Sequence, residues 1–527
     1  MSEFIDYGNW DFQSVRKSNF VDKSGLLNVL NKNIDSENRF ICVSRPRRFG
    51  KSVAAKMAYA YYDRSSDSRQ LFSGLEITQS PDFEQHLNKY PTIYIDWNRF
   101  AEIDKYERLR VAQQRLCADL KESYPFLQEQ QFFSNALIEI NKKTNDRFIL
   151  IIDEWDMLIR DVEKDVQDEY VNFLRSMFKS NSAGKTFLLV YMTGILPIIK
   201  TETQSALNNF TEYSVIDPGV TAQYYGFTKQ EVEQLCVENN MNLDLMTHAY
   251  DGYIIGDQKS MFNPNSVMMS ILKRNYISYW SKTASFTAIE HYIHIDADNV
   301  RTRIIEMMNG EAVPVEVTSF RNDMKNVENC DDVLTLLVHL GYLSYNPETQ
   351  RVMIPNTEVE GEFKNTVRFA GWKEVSQAVG RSFDLINDTI ELKATKIAAA
   401  FDEFRPESSS ILKINDENSM ACAINLAYYA ARAYYKIYRK MPAGRGFADM
   451  VFVPLPRSPR PAVVVELKYN KSTESAIDQI HRKNYPTCLQ GFSNKIILVG
   501  INYNKAECRH EVELEVVEDS SFKRFPI

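Results

Sequence analysis

The sequence predicts a multidomain α/β protein, and three observations support this fold class. The chain has 527 residues, which at about 150 residues per domain corresponds to three or four domains. Hydrophobic residues make up 44% and charged residues 25% of the chain, a composition typical of folded rather than disordered proteins. Up to about residue 215, short apolar runs alternate with longer helical stretches, which is the pattern of a parallel sheet covered by helices.

The composition also excludes several classes of protein. No apolar run approaches the ~20 residues of a membrane-spanning helix, and we expect neither a signal peptide nor a membrane partner. The seven cysteines are scattered, so we expect no disulfide framework, no structural zinc site and a cytoplasmic location. The 62 Lys and Arg against 70 Asp and Glu give a net charge of −8, which argues against a protein that coats nucleic acid over its whole surface.

We predict three domains, with boundaries near residues 216 and 404. The first has strands at residues 39–44, 92–97, 148–152 and 187–192, each largely hydrophobic, as expected for strands buried on both faces. Residues 217–404 are mostly helical, with strand-like pieces only near residues 341–345 and 351–354. Residues 405–527 have the order helix, strand, strand, helix, strand, at residues 418–438, 448–455, 462–469, 473–483 and 495–501.

The first motif is RPRRFGKS at residues 45–52, which follows an apolar strand and opens a helical stretch. This is the context of a phosphate-binding loop, where backbone N–H groups and a helix N-terminus face the phosphates. We predict that Lys51 reaches the β- and γ-phosphates of ATP and that Ser52 binds Mg²⁺. The usual pattern begins with Gly, where this chain has Arg45. A chance Gly-Lys-Ser at a helix start is therefore the alternative for this motif taken alone.

Other residues of the same loop complete the predicted nucleotide site. Gly50 precedes the lysine, as the loop pattern requires. Arg45, Arg47 and Arg48 add positive charge beside the phosphates. Of these, we assign Arg45 and Arg48 to nucleotide binding. Contact with a neighbouring subunit, or a solvated loop without a ligand, are the alternatives for these arginines.

A second motif, FILIIDE at residues 148–154, strengthens this interpretation. An apolar strand that ends in two acids is the Walker B arrangement, in which Asp153 holds Mg²⁺ and Glu154 polarises the attacking water. The alternative is an ordinary strand followed by solvated acids. A third apolar strand ends at Thr193, which either senses the γ-phosphate or caps the next segment. The two motifs together predict an ATP-binding protein, and hydrolysis follows if Glu154 acts as the base.

The third set of residues is Asp449, in GRGFAD, with Glu466 and Lys468, in VVVELK. Alternation along a strand places Glu466 and Lys468 on one face. A hairpin symmetric about Arg457 and Ser458 would place Asp449 opposite Glu466, with Cβ atoms ~4.5–5.5 Å apart, close enough to share a divalent ion. Two facing carboxylates require a cation, and Lys468 beside it suits Mg²⁺-dependent phosphodiester hydrolysis. A surface hairpin with an ordinary Glu–Lys ladder is the alternative.

Two further residues fit this predicted metal site, and the local charge supports it. Glu417 can supply a third acid, although helix starts often carry acids, and Gln479 can orient substrate or water. Between residues 427 and 495, twelve Lys and Arg stand against four Asp and Glu, a net +8 that leaves −16 for the rest. This basic segment predicts nucleic acid as the partner. The tyrosines at residues 428–438 can stack on bases, but their spacing favours core packing.

These motifs resemble those of bacterial AAA-ATPase-like proteins that carry a C-terminal PD-(D/E)XK nuclease domain. The resemblance is nearly end to end and includes FVDKS, RPRRFGKS, IIDEWD, TGILP, LNNF, YDGY, FNP, PNTEV, GRGFADMVF and VVVELKYN. That family's loop likewise begins with Arg-Pro-Arg-Arg. The resemblance implies a P-loop ATPase domain and a restriction-endonuclease-like domain whose motif residues map onto Asp449, Glu466 and Lys468. Ala448 stands in place of the motif proline. ATP and Mg²⁺ are the implied cofactors, with Mn²⁺ as an alternative at the nuclease site.

Three functions are consistent with these residues. The first is an ATP-dependent, metal-dependent nuclease in which ATP binding changes the helical middle region and thereby gates the C-terminal site. The second is a nucleotide-dependent switch or scaffold whose nuclease-like domain binds but does not cleave. The third is an enzyme acting on another phosphate ester. DNA or RNA as the substrate is open, and so is a homo-oligomeric state, because no arginine finger can be identified.

Overall fold

A computed structural model describes residues 3–128, 132–160, 162–180, 182–198, 207–280, 300–318, 320, 327, 329–369, 373–403, 417–443, 446–455, 458–489, 493 and 495–518. The chain divides into two compact units. The first contains Met1–Met241, Tyr250–Asn275 and Pro314–Pro355, and the second contains Asn242–Ala249, Tyr276–Val313 and Asn356–Ile527. The predicted middle region contributes to both units, and its second boundary falls next to residues 404–416, outside the described residues. The division into three domains stays a prediction.

The first unit is built on a parallel five-stranded sheet, as the alternating pattern predicted. Its strands are β1 (Phe40–Ser44), β2 (Thr92–Asp96), β3 (Phe148–Asp153), β4 (Phe187–Gly194) and β5 (Thr211–Tyr213), in the order β2-β3-β4-β1-β5. The motif strands β1 and β3 are therefore separated by β4. Because the strands are parallel, their carboxyl ends meet at one edge, which gathers the predicted nucleotide-site residues there.

Both faces of this sheet are buried, which explains why its strands are continuous apolar runs. Alternate residues of β1 belong to different core clusters: Cys42 packs toward α6 (Arg108–Ser123) and α7 (Phe133–Thr144), whereas Val43 packs toward α3 (Lys51–Tyr62). The other helices of this region are α1 (Trp10–Arg16), α2 (Leu26–Asn31), α4 (Arg69–Phe72), α5 (Phe83–His86), α8 (Met157–Arg160), α9 (Lys164–Phe178) and α10 (Ala183–Thr186), with 3₁₀ helices at Glu76–Gln79, Trp97–Phe100 and Gly219–Tyr224.

The region between residues 217 and 404 is mostly helical, as predicted, but it holds more strands than predicted. Its helices are α11 (Lys229–Glu238), α12 (Leu243–Tyr250), α13 (Pro264–Lys273), α14 (Val300–Met308), α15 (Cys330–Leu340), α16 (Thr357–Phe369), α17 (Lys373–Ile390) and α18 (Ala394–Glu403). One small sheet has the order β6-β8-β7, from Phe227–Thr228, Tyr253–Ile255 and Gln258–Phe262, and another has the order β10-β11-β9, from Ser344–Asn346, Arg351–Met353 and Val313–Pro314. Three of the missed strands have only two or three residues, too short to show a period of two, and the five residues of β8 do not alternate between polar and apolar.

The second unit contains a mixed five-stranded sheet in the order β12-β13-β14-β15-β16. Its elements are α19 (Glu417–Ala427), β12 (Tyr435–Ala443), β13 (Gly446–Pro454), β14 (Ala462–Tyr469), α20 (Thr473–Lys483), β15 (Lys495–Asn504) and β16 (Arg509–Glu518), with 3₁₀ helices at Tyr429–Ala433 and Tyr485–Leu489. Only the β14–β15 pair is parallel. No helix in the described ranges is long and apolar enough to cross a membrane.

Two predictions for this unit are wrong. The predicted helix at residues 418–438 ends at Ala427, and a strand begins at Tyr435. The tyrosine spacing suggested a helix, but aromatic and β-branched residues also favour strands, and here they pair with β13. The order is therefore helix, three strands, helix, two strands, because the strand β16 was also missed.

Candidate nucleotide and metal sites

The predicted phosphate-binding loop connects the end of β1 to the start of α3. Gly50 has φ = +88° and Arg48 has φ = +67°, so the loop turns through two left-handed positions before the helix begins at Lys51. The Lys51 side chain is buried, and its Nζ donates to the Pro46 carbonyl at 3.0 Å. Burial lowers the pKa of Lys51, and attraction to Glu154 opposes that shift. The loop thus folds around a lysine that faces acidic side chains.

The second predicted motif lies beside this loop. Asp153, at the end of β3, is buried and accepts a hydrogen bond from Ser52. Burial raises the pKa of Asp153 to about 7, against the effect of the Ser52 hydroxyl. The Tyr94 hydroxyl is 3.4 Å from Asp153 Oδ2. A hydroxyl and a carboxylate side by side are oxygen donors of the kind that Mg²⁺ prefers, so Ser52 and Asp153 fit the predicted ion.

Glu154 has ion-pair partners that the sequence did not predict. It adopts φ = +53°, and its Oε2 accepts from Arg160 at 2.6 Å. Arg160 also lies 3.0 Å from Oδ2 of the fully buried Asp156, which accepts the N–H groups of Ile195 and Leu196. The carboxylate predicted to act on water is therefore held by an arginine six residues later. An arginine one helical turn after the second aspartate of IIDEWD was the available signal.

Two other loop and strand residues lie where the prediction needs them. Thr193 pairs in register with Asp153 on one side and Val43 on the other, and it is fully buried. Arg48 is part of the loop itself at its first left-handed position. Their roles toward a nucleotide stay predictions.

The prediction that the Arg45 side chain contacts the nucleotide does not agree with its position. Its guanidinium is buried and donates to the carbonyls of Ser44, Tyr213 and Ser214, each at 2.9 Å, and to Thr221 Oγ1 at 2.8 Å. It also lies over the ring of Tyr225, 5.1 Å from the centroid. These contacts occupy the guanidinium inside the protein, so we exclude Arg45 from the side chains that face a nucleotide.

In the second unit, the predicted hairpin register is confirmed. The strand β13 pairs antiparallel with β14, with Met450 opposite Val465. Continued by one residue, this register would place Asp449 opposite Glu466, and Asp449 Oδ2 accepts the N–H of the adjacent Leu467 at 2.8 Å. Arg457, one of the two predicted turn residues, lies outside the described residues. The two acids are thus neighbours on adjacent strands, as the spacing indicated.

A hydrogen-bonded group of side chains surrounds Glu466. Lys468 Nζ donates to Glu466 Oε1 at 2.8 Å and to Gln479 Oε1 at 3.1 Å. Gln479 Nε2 also donates to Glu466 Oε1, and it lies 3.2 Å from the Tyr485 hydroxyl, which donates to the Phe447 carbonyl at 2.6 Å. Glu466 and Lys468 lie on the face of β14 that packs against α20, and Gln479 is on α20. The three side chains therefore meet. Gln479 is thereby brought to the predicted site.

The electrostatics of this group suit a cation. Glu466 is 2% exposed, and burial together with the nearby Asp449 charge raises its pKa to about 7. Its Oε2 atom is buried with no hydrogen-bond partner among the described residues. A buried carboxylate oxygen with this surrounding fits a divalent ion shared with Asp449. The described residues contain no cluster of three or more possible ligands, and only the backbone of Glu417 is described, so the third acid stays a prediction.

The basic segment is less available to a partner than its composition suggested. Arg432 pairs with Glu360 at 2.9 Å, and Arg439 pairs with Glu311, so two of its charges are matched by acids outside the segment. Lys468 pairs with Glu466 inside it. The tyrosines at positions 428, 429 and 435 are buried, which agrees with core packing rather than base stacking.

Comparisons with known proteins agree with both regions. Residues 6–204 match the family model described as a predicted AAA-ATPase, and residues 415–513 match the PD-(D/E)XK nuclease superfamily. No curated protein matches the chain.

Three solved structures show a loose likeness. They are the ORC2 protein of Aeropyrum pernix in ADPNP and ADP complexes (10% identity, TM-score 0.34, covering 70% of this chain and 99% of that one), a DNA replication initiation factor (12%, 0.24, 70% and 98%) and PCH-2 of C. elegans (12%, 0.20, 68% and 65%). The assignment of the two regions therefore rests on the two family models and not on these structures. Residues 6–204 are thus AAA-ATPase-like and residues 415–513 are like the PD-(D/E)XK nuclease superfamily, each over the part of the chain that its family model matches.

Proposed function

We propose that this protein binds and hydrolyses ATP in its first unit and cleaves nucleic-acid phosphodiesters in its second unit with the help of a divalent ion. The observation that carries the nuclease half is the juxtaposition of Asp449, Glu466 and Lys468, with two carboxylates on paired strands and the lysine hydrogen-bonded to one of them. The observation that carries the ATPase half is the contact of Ser52 with Asp153 beside a buried Lys51.

At the nucleotide site, each residue has a separate proposed task. Lys51 leaves the Pro46 carbonyl and neutralises the β- and γ-phosphates. Glu154 accepts a proton from the attacking water, and Arg160 holds its carboxylate in the left-handed turn after β3. A magnesium ion bound by Ser52 and Asp153 would offset charge on the phosphates. Burial around these groups strengthens each of these interactions relative to water.

At the nuclease site, Asp449 and Glu466 are the proposed ligands of a divalent ion, which would lower the pKa of water and offset charge on the scissile phosphate. Lys468 is held by Glu466 and Gln479, so its ammonium is oriented toward the carboxylate pair. We assign it to stabilising negative charge on the phosphate. Gln479 orients Lys468 and Glu466, and Tyr485 in turn holds Gln479.

The test is a cleavage assay with the full chain on single- and double-stranded DNA and RNA, with Mg²⁺ or Mn²⁺, with and without ATP. Asp449→Asn should reduce cleavage on the order of 100-fold or more, because it removes a metal-binding carboxylate. Asp478→Asn, at an exposed acid on α20, is the matched control and should leave cleavage unchanged. Lys51→Ala should reduce ATP hydrolysis and any ATP dependence of cleavage.

Two results would contradict the proposal. Equal cleavage by the wild type and Asp449→Asn would remove the second-unit assignment. Nucleic-acid binding without cleavage of any polymer, combined with nucleotide-sensitive assembly, would instead establish a nucleotide-dependent switch or scaffold.

A further inference from the structure

The first position of the phosphate-binding loop is the strongest departure from the expected pattern, and Arg45 occupies it. Its backbone N–H donates to the Gly194 carbonyl at the end of β4, at 3.0 Å. Its guanidinium donates to Ser44 at the end of β1 and to Tyr213 at the end of β5. One residue therefore joins the carboxyl ends of three neighbouring strands at the point where the loop begins.

The partners of the Arg45 guanidinium are neutral. Besides the strand-end carbonyls, they are the hydroxyl of Thr221, which itself donates to the Pro218 carbonyl at 2.7 Å, and the ring of Tyr225. No carboxylate contacts Arg45 within the described part of the chain. Carbonyl oxygens left without a donor in a buried place are costly, and the planar arginine fork satisfies several of them at once. The guanidinium thus connects the loop to the segment 213–226, which begins at the last residue of β5.

A second contact fastens the other end of the loop to the same segment. The Phe49 carbonyl accepts the Gly226 N–H at 3.1 Å, and the buried Phe49 ring packs edge-on against Tyr253, 5.0 Å between centroids. Between these two attachments lies Arg48, a non-glycine residue at φ = +67°. A left-handed conformation at such a residue costs energy and persists where the surroundings hold it in place.

We propose that Arg45 is a positioning residue. Its buried guanidinium holds the phosphate-binding loop in the conformation that binds the ligand, through contacts with Thr221 and the carbonyls at the strand ends. In the usual pattern this position is a glycine, which lets the loop turn without such contacts. This inference rests on the proposed ATP binding. It leads to a specific expectation: Arg45→Gly restores the usual loop pattern, yet it weakens nucleotide binding rather than improving it.

The opposite interpretation, in which Arg45 contacts the nucleotide directly, predicts a different result at Thr221. Thr221 is 1% exposed and accepts from Arg45 Nη2, so a nucleotide can be affected by it only through Arg45 and the loop. Thr221→Val keeps the shape of the side chain and removes both the acceptor for Arg45 and the donor to the Pro218 carbonyl. A positioning role predicts that this change weakens binding, and that it has no further effect once Arg45 is replaced.

The experiment measures the affinity of the full chain for a non-hydrolysable ATP analogue with Mg²⁺, by titration calorimetry. Arg45→Gly should weaken binding about 10-fold or more, and Thr221→Val a few-fold, in line with the loss of hydrogen bonds to a charged group. The double variant should bind no more weakly than Arg45→Gly alone, and Arg45→Lys should recover part of the affinity. Leu137→Ala, in the core between α7 and the sheet, is the control for lost stability and should not change affinity.

Three outcomes would overturn the proposal. Wild-type affinity in Arg45→Gly, with weak binding in Lys51→Ala, removes the positioning role and leaves the proposed ATP function intact. Additive effects of Arg45→Gly and Thr221→Val remove the path through Thr221. No nucleotide binding by the wild type overturns this inference together with the proposed function.

Discussion

The phosphate-binding loop of the first unit and the carboxylate hairpin of the second unit both bring a lysine to acidic side chains, but they hold these groups by different means. In the first unit, the proposed site consists of residues of the loop 45–52 together with Asp153 and Thr193, which lie at the ends of parallel strands and on a loop with two left-handed residues. In the second unit, Glu466, Lys468 and Gln479 hold one another by side-chain hydrogen bonds across one strand and one helix.

This difference predicts which kind of substitution should affect each site most. A loop that presents backbone groups depends on its dihedral angles and on buried attachments behind it, such as the contacts of Arg45. A hairpin that presents side chains depends on the side chains themselves, because the strands β13 and β14 are held by their own pairing and core. Backbone substitutions should therefore affect the first site most, and conservative side-chain substitutions the second.

The largest effect is expected for Glu466→Gln in the second unit. The change keeps the shape of the side chain and removes one of two proposed metal-binding carboxylates, so cleavage should fall on the order of 100-fold or more. Nucleotide affinity in the first unit should stay at the wild-type value. Both are measured on the same preparation by product formation and calorimetry. Glu474→Gln, at an exposed acid on α20, is the control, and cleavage that survives in Glu466→Gln would break the comparison.

A backbone substitution should give the next effect, in the first unit. Gly50→Ala places a side chain at φ = +88° with no atom within 4 Å of the new Cβ, so its cost is the backbone conformation alone. That cost is about 1–2 kcal/mol, which corresponds to roughly 10-fold weaker nucleotide binding if the loop relaxes in the free protein.

Gly74→Ala is a matched control for Gly50→Ala. Gly74 has φ = +78° and likewise no atom within 4 Å of a new Cβ. Gly74→Ala should lose stability in denaturant unfolding and keep its nucleotide affinity, whereas Gly50→Ala, whose loop relaxes in the free protein, should lose nucleotide affinity and less stability. Equal nucleotide affinities in the two variants would show that nucleotide binding does not depend on the left-handed conformation at Gly50.

The strands and the hairpin register could be predicted from the sequence, but the contacts that hold the loop could not, and the reasons are physical. The strands β1 to β4 and the register of β13 with β14 were predictable because buried strands are apolar runs and a short hairpin fixes its register locally. The attachment of Arg45 was not predictable, because its partners are backbone carbonyls and a threonine about 170 residues away. A carbonyl is present at every residue and leaves no sign in the sequence.

The errors have the same origin. The strand β12 was read as a helix because tyrosines recur at spacings that fit both periods, and only its pairing with β13 decides between them. The net charge of residues 427–495 overestimates the positive charge available to a partner, because Arg432 and Arg439 are paired with acids that lie more than seventy residues earlier. Local patterns predicted candidate site residues, whereas long-range contacts determined which charged side chains are already paired inside the protein.

A smaller effect is expected at Gly446, which tests whether the second site also depends on close packing. A Cβ built there would lie 2.6 Å from Lys483 Cδ and 3.0 Å from its Nζ, so Gly446→Ala must displace the lysine. The positive charge of Lys483 stabilises the charged form of Glu466, which lowers its pKa against burial. We expect a several-fold loss of cleavage at little cost in stability, because the end of a lysine side chain is flexible.

The double variant separates displacement of Lys483 from other effects of the new methyl group. Lys483→Met should reproduce the loss, and Gly446→Ala combined with Lys483→Met should lose no more than either change alone. Lys471→Met, at an exposed lysine in the same segment, controls for the loss of one positive charge. Additive losses would show that Gly446 acts independently of Lys483.

The smallest effect concerns Asp63, a buried carboxylate that belongs to neither site. Burial raises its pKa to about 6, against hydrogen bonds from Ser65. A change from 3.8 to about 6 corresponds to roughly 3 kcal/mol against the charged form above that pH. Because the folded-state pKa is raised, this penalty is complete above about pH 6, shrinks as pH falls, and is absent below the unfolded-state value of 3.8.

Asp63→Asn should therefore stabilise the first unit at pH 8 and lose that advantage toward pH 4. Part of the gain is offset because Oδ1 of Asp63 is buried without a hydrogen-bond partner among the described residues, where an asparagine amide would also be unsatisfied. We expect a net gain of about 1 kcal/mol at pH 8 and a small loss near pH 4, measured by denaturant unfolding. Asp67→Asn, at an exposed acid, is the control. Nucleotide affinity should stay unchanged in Asp63→Asn, because burial raises the pKa of Asp63 as it raises that of Asp153, and a raised carboxylate pKa is not by itself the sign of a binding site.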